Sequence, residues 1–359
     1  MKKMAILSVC MLLASVVVFG CDDSSKSDNS DLVYLLLLPC SPKPVVEITG
    51  SNYTSYSTWT NDTLWVITTS LNYSSQHLTI EPGTVVKFKG NYTLSITGTG
   101  SISAIGTSNA HITFTSYYDD SKGCDTDGTT QEATKGDWSS IVVSGASNQL
   151  AYCDFYYGGS GSQMMSVTSG ITASIDHCTF AHSESSGLNV TAAAKATTVA
   201  DCIFYNNTRP LWMSPDFSID GSNRFYNPRR RSETNEYNGI WLQESTAITT
   251  DRSWGNNGVP YVSGTGFSIG DATLTVEEGT VVKFNIAASA GVSVDLTHAN
   301  AEIANLDSAF FTSYLDDAHG GDTNEDGDAS SPTAGDWDGI YSNPLTDWVS
   351  SGGILYAAH

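Results

Sequence analysis

Basic residues are scarce in this chain of 359 residues. Lys and Arg total 16 against 38 Asp and Glu, which gives a formal net charge of −22. Nucleic acids and anionic membrane surfaces are bound by clustered Lys and Arg, so the composition argues against both as partners. The one basic run, at 229–231, follows Pro228 and is most simply an exposed loop, with a polyanion-binding patch as the alternative.

Helical periodicity and long apolar runs are also missing beyond the N-terminus. No later segment places apolar residues at the spacing of about 3.6 that an α-helix requires, and none has the ~20 residues that cross a bilayer. The 32 glycines and the many Ser, Thr and Asn residues are typical of short strands joined by turns. The composition therefore predicts an all-β protein.

A long internal duplication is the strongest pattern in the sequence. The segment 78–88 returns as 274–284, and Gly-Asp-Trp at 136–138 returns at 335–337. Such self-similarity is typical of repeat architectures, in which units bury their apolar faces against neighbours. We therefore predict two modules of one solenoid, the second shortened at its C-terminal side: 55–250 and 251–359.

A finer period of about two dozen residues lies within the first module. Equivalent residues of stacked coils lie above one another, ~4.8 Å apart, in continuous parallel ladders. Cys and Phe at alternate positions share one face of a strand. The sequence thus predicts a right-handed parallel β-helix with three columns facing inward: Leu150/Ile175/Val199, Cys153/Cys178/Cys202 and Phe155/Phe180/Phe204.

The cysteines of the middle column are expected to be free, buried thiols. Side chains in a parallel ladder point the same way, which disfavours disulfides between coils. A straight column of three also cannot surround a tetrahedral zinc ion. Cys40 and Cys124 remain unassigned at this level.

The N-terminal segment does not belong to the repeat. Lys2 and Lys3 precede an apolar stretch over 4–19, and Gly20-Cys21 follows. The pattern resembles a bacterial lipoprotein signal, which implies cleavage before Cys21 and acylation of that Cys, palmitate included. An ordinary secretory signal with an incidental Cys is the alternative.

The predicted boundaries follow from that resemblance. Residues 1–20 form the signal peptide, and 21–54 contain the lipidated Cys, a polar tether and an apolar strand at 32–38 that caps the first coil. The lipid anchor would attach the chain to a membrane of the bacterial cell envelope. We expect the outer membrane or the cell surface in preference to the inner membrane.

Three segments carry a resemblance to a known group. Residues 78–88, 112–120 and 136–138 resemble bacterial right-handed parallel β-helix repeat proteins, which are exported, often lipid-anchored, and share their fold with pectate lyases. The resemblance covers roughly 55–359 and implies the fold, while one fold hosts many activities. The chain departs from the pattern because the second module lacks the coils that carry the Cys column in the first.

Two long acidic loops, at 117–135 and 314–334, carry the most specific chemistry in the sequence. Loops of this length are uncommon and often functional. Oxygen side chains at alternate positions followed by Gly suit Ca²⁺, although Thr333 stands where an EF-hand needs its Glu. A solvated acidic turn is the alternative. The predicted calcium ligands are Asp125 and Asp127 in the first loop and Asp322, Asn324, Asp326 and Asp328 in the second.

Catalytic patterns are weak. The sequence shows no Ser-His-Asp arrangement, phosphate loop or His-rich metal site. The best pair is Asp154 and Asp201, predicted to face outward from coils two apart, with Thr179 between them and ~9–10 Å of separation. Outward Asp residues are common on any β-solenoid, so a polysaccharide lyase or glycoside hydrolase is the alternative rather than the main hypothesis.

Aromatic residues favour binding. Tyr152, Tyr156 and Tyr205 are predicted on the outward side of the Cys strands, and aromatic faces beside hydrogen-bonding groups suit sugar rings. Tyr is also simply a good strand residue. We expect a lipid-anchored, non-catalytic envelope protein that binds a polysaccharide or a surface protein. A structural, self-assembling surface protein is the third hypothesis.

Overall fold

The computed structural model describes residues 41–168, 170–243, 246–285, 291–327 and 329–359. The predicted signal peptide, Cys21, the tether, the cap strand, Cys40 and Asp328 lie outside the described residues. Within them the chain forms 33 short strands and two 3₁₀ turns, Tyr53–Ser55 and Leu306–Ser308. None of the helical segments described is long and apolar enough to span a membrane.

The strands stack as a right-handed parallel β-helix, as predicted. Each coil of the first half adds one strand to each of three sheets. The long sheet has ten strands and runs through both halves. Its strands are β4 (Leu71–Tyr73), β7 (Thr93–Ile96), β10 (Ser140–Val143), β13 (Met165–Val167), β16 (Ser186–Asn189), β19 (Arg209–Met213), β22 (Ile240–Leu242), β25 (Tyr261–Ser263), β28 (Val281–Phe284) and β31 (Phe310–Ser313).

Two further sheets complete the first half. The Cys sheet consists of β1 (Val45–Ile48), β3 (Leu64–Ile67), β6 (Val85–Phe88), β9 (Ile112–Ser116), β12 (Cys153–Tyr156), β15 (Thr179–Ala181) and β18 (Ile203–Tyr205). The Leu sheet consists of β2 (Thr58–Trp59), β5 (His77–Ile80), β8 (Ser101–Ile105), β11 (Ser147–Ala151), β14 (Ala173–Asp176) and β17 (Thr198–Ala200).

The second half pairs the long sheet with two shorter ones. A three-stranded sheet contains β24 (Arg252–Trp254), β27 (Thr273–Val276) and β30 (Glu302–Ala304). A five-stranded sheet contains β23 (Ala247–Ile248), β26 (Gly266–Ile269), β29 (Ser293–Leu296), β32 (Gly339–Ser342) and the antiparallel β33 (Asp347–Trp348). Between the halves, β20 (Tyr226–Asn227) and β21 (Arg230–Thr234) form an antiparallel hairpin.

The predicted inward columns are confirmed. Leu150 pairs with Ile175 and Ile175 with Val199. The Phe column is longer than the sequence period indicated, since Phe114 precedes and Phe225 follows it, with stacked ring centroids 4.8–5.2 Å apart. Every ring of the column is buried: Phe114, Phe155, Phe180, Phe204 and Phe225. The column supplies a continuous apolar core to this half of the solenoid.

The Cys column also faces inward. Cys153, Cys178 and Cys202 are fully buried and free, as predicted. Each thiol donates a hydrogen bond to a backbone carbonyl, for example Cys178 Sγ to Asp176 O at 3.3 Å. The thiols therefore act as small core residues. Cys124, which the sequence left unassigned, is in a disulfide.

Turns of one or two residues join the Leu sheet to the Cys sheet. Tyr152, His177 and Asp201 occupy this turn on successive coils, and each has a φ of 51°. That left-handed conformation is uncommon for residues other than Gly, and Asn, Asp and His adopt it more readily than most. The same backbone turn thus recurs on three coils and aligns three unlike side chains.

The duplication is visible at the level of single contacts. Phe88 stacks on Trp138 with ring centroids 4.3 Å apart, and Phe284 stacks on Trp337 at 4.2 Å. Each indole donates a hydrogen bond of 2.8 Å to a backbone carbonyl 18 residues later. The two modules therefore fold their repeated motifs in the same way.

Equivalent strands of the two modules lie in different sheets. Strand β6 lies in the Cys sheet, whereas its sequence duplicate β28 lies in the long sheet. The first acidic loop accordingly connects the Cys sheet to the long sheet, and the second connects the long sheet to the five-stranded sheet. The two loops leave the solenoid at different edges.

Candidate functional site

A pocket of about 340 Å³ opens on the outer face of the Cys sheet. Tyr156 of β12 and Tyr205 of β18 lie on coils two apart, and Thr179 of β15 lies between those strands. The volume falls in the range of small-ligand sites, about 300–1,000 Å³. We call this the Tyr156 pocket; its lining is His111, Lys122, Asp154, Tyr156, Thr179, Ile203, Tyr205, Asn227, Pro228 and Arg229.

Charged groups converge on the Tyr156 pocket. Asp154 has a side chain only 12% exposed, and its Oδ1 lies 3.1 Å from His111 Nδ1. The Lys122 ammonium lies 5.1 Å from the centre of the Tyr156 ring, which is within cation–π range. Arg229 adds a second permanent positive charge. The pocket therefore gathers cations on a chain that is strongly acidic overall.

Burial keeps the tyrosine hydroxyls protonated. Desolvation, with the negative charge of Asp154 second, raises the pKa of Tyr156 far above its ordinary value. Desolvation and the charge of Glu233 raise the pKa of Tyr205 in the same direction. Both phenols are therefore neutral at physiological pH and can act as hydrogen-bond donors and as apolar ring faces.

Only some of the residues predicted for this site come together. Tyr156, Tyr205 and Asp154 line the pocket, whereas Tyr152 lies in the preceding turn, 4.6 Å from the His177 ring. The register aligns Asp154 with Thr179 and Thr179 with Ile203, so Asp201 does not take the position expected for it two coils on.

The misplacement of Asp201 has a simple physical cause. Asp154 follows its column Cys, while Asp201 precedes its own and lies in the left-handed turn. The pair expected for hydrolysis therefore does not face one groove.

The three basic lining residues, His111, Lys122 and Arg229, were missed by sequence reasoning. His111 immediately precedes β9, the neighbour of β12, and this placement was the available signal. Lys122 comes from the first acidic loop, and Arg229 from the turn of the β20–β21 hairpin. The sequence gives no local pattern that brings those two segments together. Arg229 lies in an exposed turn, as predicted, and it also forms part of the pocket wall.

The acidic loops form a second candidate site in each module. In the first loop, carboxylate oxygens of Asp120, Asp125 and Asp127 lie within 4.8 Å of one another. In the second loop the corresponding oxygens belong to Asp317, Asp322 and Asp326. Asp317 and Asp322 are the duplicates of Asp120 and Asp125 in the sequence. Asp120 and Asp317 were not predicted, because they start the loops and lie outside the alternating pattern. We call these sets the acidic triads.

A buried lysine holds each loop against the solenoid. Lys87 Nζ donates to Cys124 O at 3.0 Å and to Thr126 Oγ1 at 2.6 Å. Lys283 Nζ donates to Gly321 O at 2.6 Å and to Thr323 Oγ1 at 3.1 Å. The repeated contact fixes the loop backbone immediately beside the triad carboxylates.

Charge within the loops is unbalanced. Desolvation, followed by the charge of Asp125, raises the pKa of Asp120. Desolvation lowers the pKa of Lys283 to about 8, although Asp317 and Asp316 oppose the shift. Each acidic triad therefore sets three carboxylates against one buried lysine, and the negative charge that this lysine does not balance can be neutralised by a cation.

The second acidic loop also contains oxygens shielded from water. Asn324 Oδ1 and Asp326 Oδ1 accept no hydrogen bond from any described residue. Asn324 Nδ2 instead donates a hydrogen bond of 2.8 Å to Oδ2, the other carboxylate oxygen of Asp326. Shielded acceptors of this kind are costly unless a donor or a cation satisfies them.

Another cavity, of about 500 Å³, lies beside the second acidic loop. Glu236, Asp322 and Glu325 line it together with backbone groups, and its lining includes no aromatic side chain. Desolvation and the charges of Glu236 and Asp322 raise the pKa of Glu325. This cavity therefore lacks the ring surfaces that distinguish the Tyr156 pocket.

Comparisons with protein-family models, with curated proteins and with solved structures found no match to this chain.

Proposed function

We propose that this chain is a lipid-anchored binding protein of the bacterial cell envelope, which holds a saccharide in the Tyr156 pocket and performs no chemistry on it. The observation that carries the proposal is the pocket itself: Tyr156 and Tyr205, on strands two coils apart, beside Asp154, Lys122 and Arg229. Ring faces bordered by hydrogen-bonding and charged groups suit a sugar, whose hydroxyls need partners and whose C–H face is apolar.

The size of the Tyr156 pocket favours a polysaccharide over a protein ligand. The pocket volume suits one or two sugar rings, whereas specific protein interfaces bury about 800 Å² on each partner. The outer face of a parallel β-helix also continues beyond the pocket along the stacked strands, which suits an extended polymer.

An array of purified glycans tests the proposal directly. The purified chain is applied to the array, and each bound glycan is then incubated with the chain and assayed for new reducing ends and unsaturated products. Saturable binding without products supports the proposal. Products that disappear in Asp154→Asn would establish a polysaccharide-degrading enzyme instead, and failure to bind any glycan would reject the saccharide hypothesis.

The membrane anchor is a separate part of the proposal and rests on the sequence around Cys21. Acylation of that Cys would hold the chain in the membrane, since each buried methylene contributes about 0.8 kcal/mol. The Cys21→Ala chain should remain an uncleaved precursor or become soluble. Unchanged partition of this variant into the detergent phase would eliminate the lipoprotein hypothesis.

We also propose that the acidic triads bind Ca²⁺. Carboxylate oxygens converge at equivalent places in both modules, an excess of negative charge remains there, and the second acidic loop includes shielded acceptors. Oxygen-only ligand sets are those that Ca²⁺ prefers. In the second loop the proposed ligands are Asp322 and Asp326, as predicted, together with Asp317. In the first loop they are Asp125 and Asp127, as predicted, together with Asp120.

Calorimetric titration with calcium tests the triads. We expect saturable binding with a Kd of about 10⁻⁴–10⁻³ M, because no bidentate Glu completes either loop. The double variant Asp322→Ala/Asp326→Ala should lose the second site and keep the first. Asp347→Ala, which removes an exposed carboxylate outside both loops, is the matched control. Absence of heat and of a thermal shift at millimolar calcium would leave the loops as solvated turns.

A further inference from the structure

A third group of metal-ligating side chains lies away from both the Tyr156 pocket lining and the acidic loops. Asp176 ends strand β14, His177 is the first residue of the following turn, and Asp201 takes the same position on the next coil. One donor atom from each of the three residues lies within 4.8 Å of the other two. The stacking of equivalent turns therefore brings one imidazole and two carboxylates together from two coils.

The imidazole of His177 provides an independent observation. Its Nδ1 atom is shielded from solvent, although 42% of the side chain is exposed, and it makes no hydrogen bond to any residue that the structure describes. Asp176 Oδ2 lies only 2.9 Å from this nitrogen, so the two atoms are in ion-pair range without the direction that a hydrogen bond needs. Two donor atoms that approach closely without bonding each other are arranged as neighbouring ligands of a shared cation are.

Packing holds this imidazole in place. The Tyr152 ring lies 4.6 Å from the His177 ring with an interplanar angle of 30°. His177 N donates to Ala200 O at 3.1 Å, and Asp201 N donates to Ser222 Oγ at 2.8 Å, so the backbone of both turns is fixed by the following coil. A preformed donor set loses little conformational entropy when it binds an ion.

We propose that Asp176, His177 and Asp201 form a site for a divalent transition metal, with Zn²⁺ as the ion that fits best. Zinc is bound by His nitrogen at ~2.0–2.1 Å and by carboxylate oxygen at ~2.0–2.2 Å, and three protein ligands leave a position for water or another ligand. Imidazole is a poor ligand for Ca²⁺, which selects oxygen. This site therefore differs in chemistry from the oxygen-only triads.

Asp201 is exposed at this turn, while Asp176 and His177 are half-buried. The open coordination position consequently faces the surface of the solenoid rather than its core. The described residues provide no fourth ligand at this cluster. A metal bound there could therefore accept a ligand atom from outside the chain.

Zinc titration of the full chain, in the presence of excess calcium to fill the triads, tests the site. The informative variant is His177→Asn, because Asn tolerates the φ of 51° at this position while it removes the imidazole. His77→Ala is the control: His77 is exposed and belongs to none of the three donor clusters. Thermal melts without metal verify that both variants fold as the parent chain does.

The parent chain and His77→Ala should bind one zinc ion that calcium does not displace. His177→Asn should weaken that binding by more than about tenfold, the lower bound of the effect of losing even an outer-shell partner. Asp201→Asn should weaken it in the same direction. Equal zinc affinity in the parent chain and in His177→Asn would overturn the proposal, and so would the absence of saturable zinc binding in the parent.

Discussion

Two buried lysines show how a single residue can set the conformation of a long loop. Lys87 and Lys283 are fully buried, and each satisfies its ammonium with a loop carbonyl and a loop hydroxyl. A lysine in this position would be costly without those partners. The chemistry of the acidic triads thus depends on a side chain that lies beneath them.

Replacement of Lys283 by Met should therefore destabilise the chain by about 3 kcal/mol, because it removes the ammonium that donates to Gly321 O and Thr323 Oγ1 and leaves the nearby carboxylates of Asp316 and Asp317 without their cation. The free energy of unfolding from urea titration gives the measurement. Lys135→Met removes an exposed lysine of the first loop and should change stability by less than about 0.5 kcal/mol. Equal stability of the two variants would show that the lysine is not a structural anchor.

The case of Asp201 shows where residue-level prediction from the sequence ends. The period of the Cys column predicts which residues face inward, because Cys and Phe two positions apart share one face of a strand. It does not indicate that the position before each Cys is a left-handed turn. The residues at that position, Tyr152, His177 and Asp201, therefore form a row of their own, separate from the outward row that contains Asp154.

At the scale of elements, the inward columns were predictable and the pocket was predictable only in part. Strands β12, β15 and β18 and their columns follow from a period visible in the sequence. The pocket walls come from a loop and a hairpin whose sequences carry no repeat, so Lys122 and Arg229 are brought to Tyr156 only by the fold.

The Phe column is the element on which the first module depends most. Phe180 lies between Phe155 and Phe204, with ring centroids 4.8 and 5.2 Å away. Truncation to Ala should lower the free energy of unfolding by about 3–5 kcal/mol, the range for a buried Phe that leaves a cavity. Ile105→Ala, at a site 43% exposed, is the control and should be nearly neutral. A small loss at Phe180 would mean that the column is not a tightly packed core.

At the scale of the whole molecule, one ion-pair cluster joins the two modules. Asp216, buried between them, pairs with Arg252 of β24 at 2.8 Å and with Lys195 of the first module. Thr249 Oγ1 also donates to this carboxylate at 2.9 Å. Burial alone would raise the pKa of Asp216, but the hydrogen bonds from Lys195, Arg252 and Thr249 hold it below its ordinary value.

This shift makes stability depend on pH in a defined direction. A carboxylate whose pKa is lowered in the folded state stabilises the fold above its unfolded-state pKa of 3.8, and that stabilisation is lost as the pH falls through the lowered value. Asp216→Asn should cost about 3 kcal/mol at pH 7, because Arg252 is left without its partner. The difference from the parent chain should shrink in urea titrations carried out below about pH 3.

An exposed ion pair provides the comparison. Lys89 and Glu47 lie 3.2 Å apart, and both side chains are largely exposed. Glu47→Gln should change the free energy of unfolding by less than about 0.5 kcal/mol at either pH. A pH-independent effect of Asp216→Asn would contradict the role assigned to the buried carboxylate.

The central claim, that the Tyr156 pocket binds a saccharide, is tested most directly by one calorimetric measurement. The glycan that binds best on the array is titrated into the parent chain, Tyr156→Ala and Tyr341→Ala, the last of which removes a tyrosine of β32 outside the pocket. Loss of one stacking ring should weaken binding about tenfold in Tyr156→Ala, since it removes the buried area of the ring together with a stacking contribution of ~0.5–1.5 kcal/mol. Tyr341→Ala should bind as the parent does. Parent-like affinity in Tyr156→Ala would contradict the claim.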